Sequence, residues 1–155
     1  MLTGVLAAIT LSILDLLRRV ARPHDGILGY APGVASMHDI ADYPDARVVP
    51  GLLIYRYDSP LFFANADNFV RRAIAAVNQA SSPVQWFVLN AEANVQIDIT
   101  SLDALEEVRR RLETLGIVLI LARVKHDVYV DLQRAGLTQR LGPDRIPPDG
   151  GRGIR

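Results

Sequence analysis

The sequence predicts an α/β fold in which the strands of a β-sheet alternate with helices along the chain. Three observations predict it. Residues 52–59, 84–91 and 117–124 are short runs rich in apolar, aromatic and β-branched side chains, the composition that suits a pleated, buried surface. Residues 65–79, 100–115 and 125–142 change to a helical period, with apolar residues three or four apart. The two kinds of segment take turns, which implies parallel pairing with right-handed crossovers. At 155 residues the chain fits one domain, which can bury roughly 70% of its unfolded surface.

The first element departs from a globular composition. "MLTGVLAAITLSILDLL" is apolar over residues 1–14, Asp15 interrupts it, and Arg18, Arg19 and Arg22 follow before Pro23. That run is shorter than the ~20 residues that span a bilayer, and it lacks the basic start and cleavage site of a signal peptide. It reads as the last turns of a membrane helix with its arginines on the cytoplasmic side, or else as an amphipathic helix packed on the domain. Pro23-His24-Asp25-Gly26 is a breaker cluster and marks the boundary. Residues 1–21 are therefore expected to be the end of a transmembrane helix with its linker, 22–146 the folded module, and 147–155 a flexible tail.

After the boundary, "ILGYAPG" is a short strand candidate and "MHDIADYPDARVVPG" an irregular approach punctuated by proline. In "LLIYRYDS", Leu53, Tyr55 and Tyr57 alternate against Leu52, Ile54 and Arg56, the period of a strand. In the next helix Asn65 can cap, Asp67 suits the first turn, and Val70, Ala73, Ile74 and Val77 form the stripe. "VQWFVLNA" is nearly continuous in its apolar character, as expected of a central strand covered on both faces. "TSLDALEEVRRRLETLG" is the clearest helix: Leu102, Leu105, Val108, Leu112 and Leu115 line one face, Glu106 and Glu107 stand four residues before Arg110 and Arg111, and Gly116 stops it. "IVLILARV" is a further buried strand. "KHDVYVDLQRAGLTQRLG" is a weaker helix with Val128, Leu132 and Ala135 inward, and the proline- and glycine-rich "PDRIPPDGGRGIR" lacks an apolar stripe.

Composition removes several function classes. Seventeen basic and seventeen acidic side chains cancel, leaving no overall bias toward nucleic acid or acidic lipid. Without cysteine there are no disulfides, thiolate metal sites or cysteine nucleophiles. His24, His38 and His126 lie far apart and none has another histidine or a cysteine at helical spacing, so no metal site is expected. Phosphate-binding loops, dinucleotide fingerprints and nucleophile elbows are missing. The chain is expected to be non-catalytic and to require no cofactor.

Two corners carry the remaining chemistry. In "IDITSLDAL", Thr100 and Asp103 have the spacing of a capping box with aspartate replacing glutamate. That reading leaves Asp98 without a role. The free amides of a helix start also favour a phosphoryl group, although Asp98 and Asp103 would repel the added charge of roughly −1.5 to −2. The corner is thus either a cap alone or a regulatory and ligand corner. In "SPLFFANADNF", Phe62 and Phe63 read as core at a strand-to-helix junction, with Asn65, Asp67 and Asn68 as capping groups. If both corners follow parallel strands, they share the carboxyl edge of the sheet, where open α/β folds place ligands.

These segments carry a resemblance. "LGY", "VPGLLIYRYDSPLFFANADNF", "VQWFVLNA", "IDITSLDAL" and "AGLTQRLG" resemble the cytoplasmic STAS domain of bacterial SulP-type sulfate and anion transporters across most of residues 22–146; the same fold occurs in anti-sigma factor antagonists. The resemblance implies a STAS-like central β-sheet flanked by about four helices, mainly on one face. It also implies a regulatory module at the cytoplasmic face of the cell membrane. Its implied partners are the transmembrane domain of the same transporter, a second copy in a homodimer, or a cytoplasmic regulatory protein. Several family members bind guanine or adenine nucleotides, which makes GTP, GDP and ATP the candidate ligands of an edge formed by Phe63, Asn65, Asp67, Asp98, Thr100, Ser101 and Leu102. In the antagonists a serine at this corner is phosphorylated by a partner kinase. Residue by residue, Asp98 matches the acid of that motif, Thr100 the phospho-acceptor, and Ser101 a position where glycine is common. Ile99 and Ser101 depart from the antagonist pattern, so an interaction or ligand edge comes first and phosphorylation of Thr100 or Ser101 second. The alternative is a freestanding phosphoswitch that binds a kinase, and the apolar N-terminal segment argues against it. The final helix usual in the family has no counterpart in the tail.

Overall fold

The computed structural model describes residues 2–33, 36–94 and 97–147. Their elements run α1 (Leu2–Ala21), β1 (Asp25–Tyr30), β2 (Met37–Asp39), β3 (Leu52–Tyr57), α2 (Ala66–Asn78), β4 (Trp86–Asn90), α3 (Ile99–Thr114), β5 (Val118–Ala122), α4 (His126–Arg134), α5 (Leu137–Leu141) and a 3-10 turn at Pro143–Arg145. The strands form one sheet in the order β2-β1-β3-β4-β5. β3, β4 and β5 pair in parallel, and α2 and α3 make the crossovers between them. β1 pairs antiparallel with both β2 and β3. The expectation of parallel pairing therefore holds where a helix intervenes and fails where none does, because only a crossover of a dozen or more residues brings a chain back parallel.

Strand alternation decides which side chains meet the helices. Leu53, Tyr55 and Tyr57 of β3, Phe87 and Leu89 of β4 and Leu119 and Leu121 of β5 are buried in register on one face. They pack on Phe69 and Ala73 of α2, Val108 and Leu112 of α3, Leu132 of α4 and Leu137 and Leu141 of α5. Tyr55 lies 5.6 Å from Phe87 and Tyr57 5.3 Å from Phe69, ring centroid to centroid, separations at which tilted aromatic pairs attract. The other face is not covered by these helices: Trp86 is 46% exposed and Val88 half-buried. β4 is interior in the sheet, yet it is not buried on both faces as its apolar run suggested.

Several boundaries differ from expectation for local reasons. The 125–142 segment is two helices, because Gly136 takes a left-handed φ of 70° between them. The tail does not leave the fold at residue 143: Ile146 is buried in the core after the 3-10 turn, and residues 148–155 lie outside the described residues. Gly116 ends α3 as expected, with φ 72°. Leu115, placed on the apolar stripe by periodicity, is exposed just past the helix. Arg111 pairs with Glu107 at 2.7 Å as its spacing implies, whereas Glu106 takes Arg109 at 3.0 Å and Arg110 turns to Glu107.

α1 buries none of its residues. Thr10 and Ser12 return their hydroxyls to the carbonyls of Leu6 and Ala8 at 2.8 and 2.9 Å, which hides polar groups within an otherwise apolar helix. Among the described residues, no helix is long and apolar enough to cross a membrane.

Candidate functional site

The loops after β3 and β4 meet at the carboxyl edge of the sheet. Asn94, buried in the loop after β4, accepts the Leu61 amide on its Oδ1 at 2.9 Å. Asn65 is fully buried, and its side chain turns back into the first loop. Its Oδ1 accepts the Phe62 amide at 3.0 Å while its Nδ2 donates to Pro60 O at 2.9 Å and Ser59 Oγ at 3.3 Å. Asn65 is thus the residue at the α2 N-cap position without being a side-chain cap. Asn68 is likewise no cap, since its Oδ1 accepts the Tyr57 hydroxyl at 3.1 Å. Asn65 is kept in the interior because both its side-chain oxygen and its nitrogen find partners in the loop it braces.

The second corner is organised by Asp98. Among the described residues no strand runs into α3: residues 97 and 98 are irregular, residues 95 and 96 lie outside the description, and Asp98, with extended φ −93° and ψ 172°, is the N-cap. One carboxylate oxygen accepts Ser101 N at 2.7 Å and Ser101 Oγ at 2.6 Å, and the other accepts Phe63 N at 3.2 Å. The reading of Thr100 and Asp103 as the capping pair is therefore wrong by two residues. A helix start shifted two residues upstream makes Asp98 the group three before the amide in need, and Thr100 lies inside the first turn. These donors hold the Asp98 carboxyl below the usual carboxylate range, the Ser101 hydroxyl contributing most and the Ser101 and Phe63 amides adding to it.

The predicted residues separate by exposure. Phe63 is 75% exposed, which overturns its assignment to the core. Phe62 meets it edge-on at 5.5 Å. Asp67, Asp98 and Thr100 are exposed and Leu102 is half-buried. Ser101 is 0% exposed, its hydroxyl spent on Asp98; of the two hydroxyls proposed for phosphorylation only that of Thr100 faces solvent. Ile99, which enters the sequence reading only as a departure from the antagonist pattern, is 79% exposed and directly follows Asp98 in the chain. An apolar residue at a helix start, outside the stripe formed by Leu105, Val108 and Leu112, is the signal that could have found it. Ser59, Pro60, Leu61, Phe62, Ile97 and Asp98 also line an open cleft of about 730 Å³, to which Val20 of α1 and Asp131 of α4 contribute. Among the described residues, no cluster of histidine and acidic side chains could hold a metal ion.

Three comparisons bear on this geometry. The family model described as "STAS domain" matches residues 43–147. The chain is 58% identical over 143 residues to a probable sulfate transporter of Mycobacterium tuberculosis, an alignment that covers 92% of this chain and 26% of that protein. The chain thus spans about a quarter of that relative. Among solved structures, a sulfate transporter family protein of Wolinella succinogenes is 28% identical with a TM-score of 0.57, covering 72% of this chain and 88% of that one. The murine anion transporter Solute Carrier 26 family member A9 shares the fold at 22% identity and a TM-score of 0.78, over 94% of this chain and 24% of its own.

Proposed function

Because this chain belongs to the STAS-domain family, we propose that it acts as the cytoplasmic regulatory and interaction domain of a sulfate or anion transporter. Its working surface is the edge formed by Phe63 and Ile99 around Asp98, and its partner there is the transmembrane domain of the same transporter. The observation that carries this reading is the double use of Asp98. One carboxylate caps α3 and ties down the loop that bears Phe63, so two exposed apolar side chains are held about a fixed negative charge. An apolar pair with a polar centre is the pattern of a small interaction surface. Preorganisation by the cap lowers the entropy lost on docking. The relative's name, a probable sulfate transporter, supports the transport role. The exposed apolar face of α1, followed by Arg18, Arg19 and Arg22, supports attachment at a membrane over a freestanding kinase-binding switch.

The test is made in the full transporter, by sulfate uptake normalised to protein in the membrane. Phe63→Ala and Ile99→Ser change exposed groups and leave the core intact. Each is expected to alter uptake per transporter, and the double variant to exceed either. Uptake that stays at the wild-type level in the double variant rejects this edge as the working surface.

A nucleotide is the second ligand class, favoured by the exposed Phe63 ring, on which a base can stack. The phosphates find a poorer site, because the first amides of α3 lie beside the Asp98 charge and the Ser101 amide is already taken. GTP, GDP or ATP would therefore be held by its base.

A further inference from the structure

We propose that the open cleft at the foot of α1 seats a basic segment of the transmembrane domain, a stretch that carries lysine or arginine between apolar residues. The proposal rests on the reading above that this edge meets the transmembrane domain, and it names the chemistry that domain must offer there. Leu61, Phe62 and Ile97 give the cleft an apolar lining, and its volume is about 730 Å³. The charged side chains that line it among the described residues are Asp98 at the start of α3 and Asp131 of α4. Both are carboxylates.

Neither charge is cancelled from within the domain. Asp98 draws its hydrogen bonds from two amides and a hydroxyl, neutral donors that stabilise the anion without neutralising it. Asp131 has Arg134 at 3.6 Å, one turn along α4, but that arginine is 77% exposed, and a solvated pair of this kind contributes little. The basic residues at the end of α1 do not fill the gap: Arg19 is held by Asp15 at 2.9 Å, and neither Arg18 nor Arg22 lines the cleft. Apolar surface beside uncompensated negative charge repels phosphates and anionic headgroups. It favours a cation on an apolar stem, which is the make-up of a lysine or arginine side chain.

Position selects the source of that cation. Val20, in the last turn of α1, also lines the cleft. With α1 as the attachment to the membrane, the cleft stands where the chain leaves it, and the short loops of a transmembrane domain on the cytoplasmic side carry an excess of lysine and arginine. Complementary charge steers such a loop into place and fixes its register. Asp98 belongs both to the cleft and to the Phe63 and Ile99 edge, so the two surfaces are continuous.

The test is photo-cross-linking in the full transporter in its membrane. The probe is p-benzoylphenylalanine in place of Phe62, with the exposed Pro60 of the same cleft as a second position should the first disturb folding. The cross-linked segment, read by mass spectrometry, is expected to come from the transmembrane domain and to contain lysine or arginine. Asp131→Lys is expected to lower the yield about fivefold, the scale of one surface charge pair, and Asp131→Glu to keep it. The same probe at Tyr30, exposed at the opposite edge of the sheet, is expected to give no such adduct. A captured stretch of the transmembrane domain without lysine or arginine, a yield unmoved by Asp131→Lys, or equal capture from Tyr30 overturns the basic segment and leaves the docking reading in place. Adducts to lipid or to other proteins alone, or none from either cleft position, overturn both.

Discussion

Asp98 Oδ2 accepts the backbone amide of Phe63 at 3.2 Å, a contact across thirty-five residues of sequence that joins the loop after β3 to the first turn of α3. Because the same carboxylate also caps α3 through Ser101, the stability of a helix and the position of an exposed aromatic ring depend on one side chain.

Asp98→Ala should therefore have two effects. Loss of the cap costs about 1 kcal/mol, read from urea unfolding, and the Phe63 amide should exchange with solvent faster than in the wild type. Normal protection of Phe63 in a destabilised variant would uncouple the two corners.

The capping contribution should also fade in acid. The folded-state acidity of Asp98 is displaced downward by the Ser101 hydroxyl and the two amides, so its contribution is present above the ordinary aspartate range of about 3.9 and is lost as pH falls below it. Wild type and Asp98→Asn should differ in stability at pH 6 and converge toward pH 2. The group is solvent-facing, so the cap, and not the titration, supplies the larger share.

Thr100 and Ser101 should separate cleanly. Ser101→Ala removes a buried hydroxyl donor and is expected to cost about 1 kcal/mol, while Thr100→Ala should stay within about 0.5 kcal/mol of wild type. A kinase acting on the folded domain should label Thr100 and spare Ser101, as phosphopeptide mapping would reveal. Phosphate on Ser101 in native protein contradicts this assignment.

At high pH the sheet should fail through Tyr55. Burial, and then the hydrogen bond it donates to Asp25, push its phenol well above the usual tyrosine range. A raised folded-state value means that the contribution is whole below the ordinary value of about 10 and is lost as pH climbs beyond it. Tyr55→Phe should cost about 1.5 kcal/mol at neutral pH, the lower end for a bond to a charged group because Arg72 still holds Asp25. The variant should then lose less stability than wild type between pH 9 and about 11.

Nucleotide titration followed by two-dimensional NMR should shift the amides around Phe63, with GTP and GDP acting alike because the phosphates have no dedicated seat. No shift at millimolar nucleotide removes the ligand reading and leaves the docking edge standing. A response that grows with the number of phosphates would instead require a cationic contact at this edge.

The alternation of Leu53, Tyr55 and Tyr57, the stripe of α3 and the glycine stop at Gly116 were legible in sequence because each depends on neighbours a few residues away. Period determined that this chain is an α/β module and which segments are strands and helices; that the 63–67 and 98–102 corners share an edge followed only on the condition that both succeed parallel strands. Tertiary structure alone decided that Asp98 and not Thr100 caps α3, that Asn65 braces a loop, that Ser101 is hidden, and that Phe63 and Ile99 face solvent. It also decided that β1 runs antiparallel; the bare second face of the sheet is what the family resemblance implies. Those outcomes turn on partners such as Phe63 and Asp98, or Leu61 and Asn94, that lie dozens of residues apart. Local propensity ranks the states a residue prefers, but burial and hydrogen bonding to distant backbone choose among them.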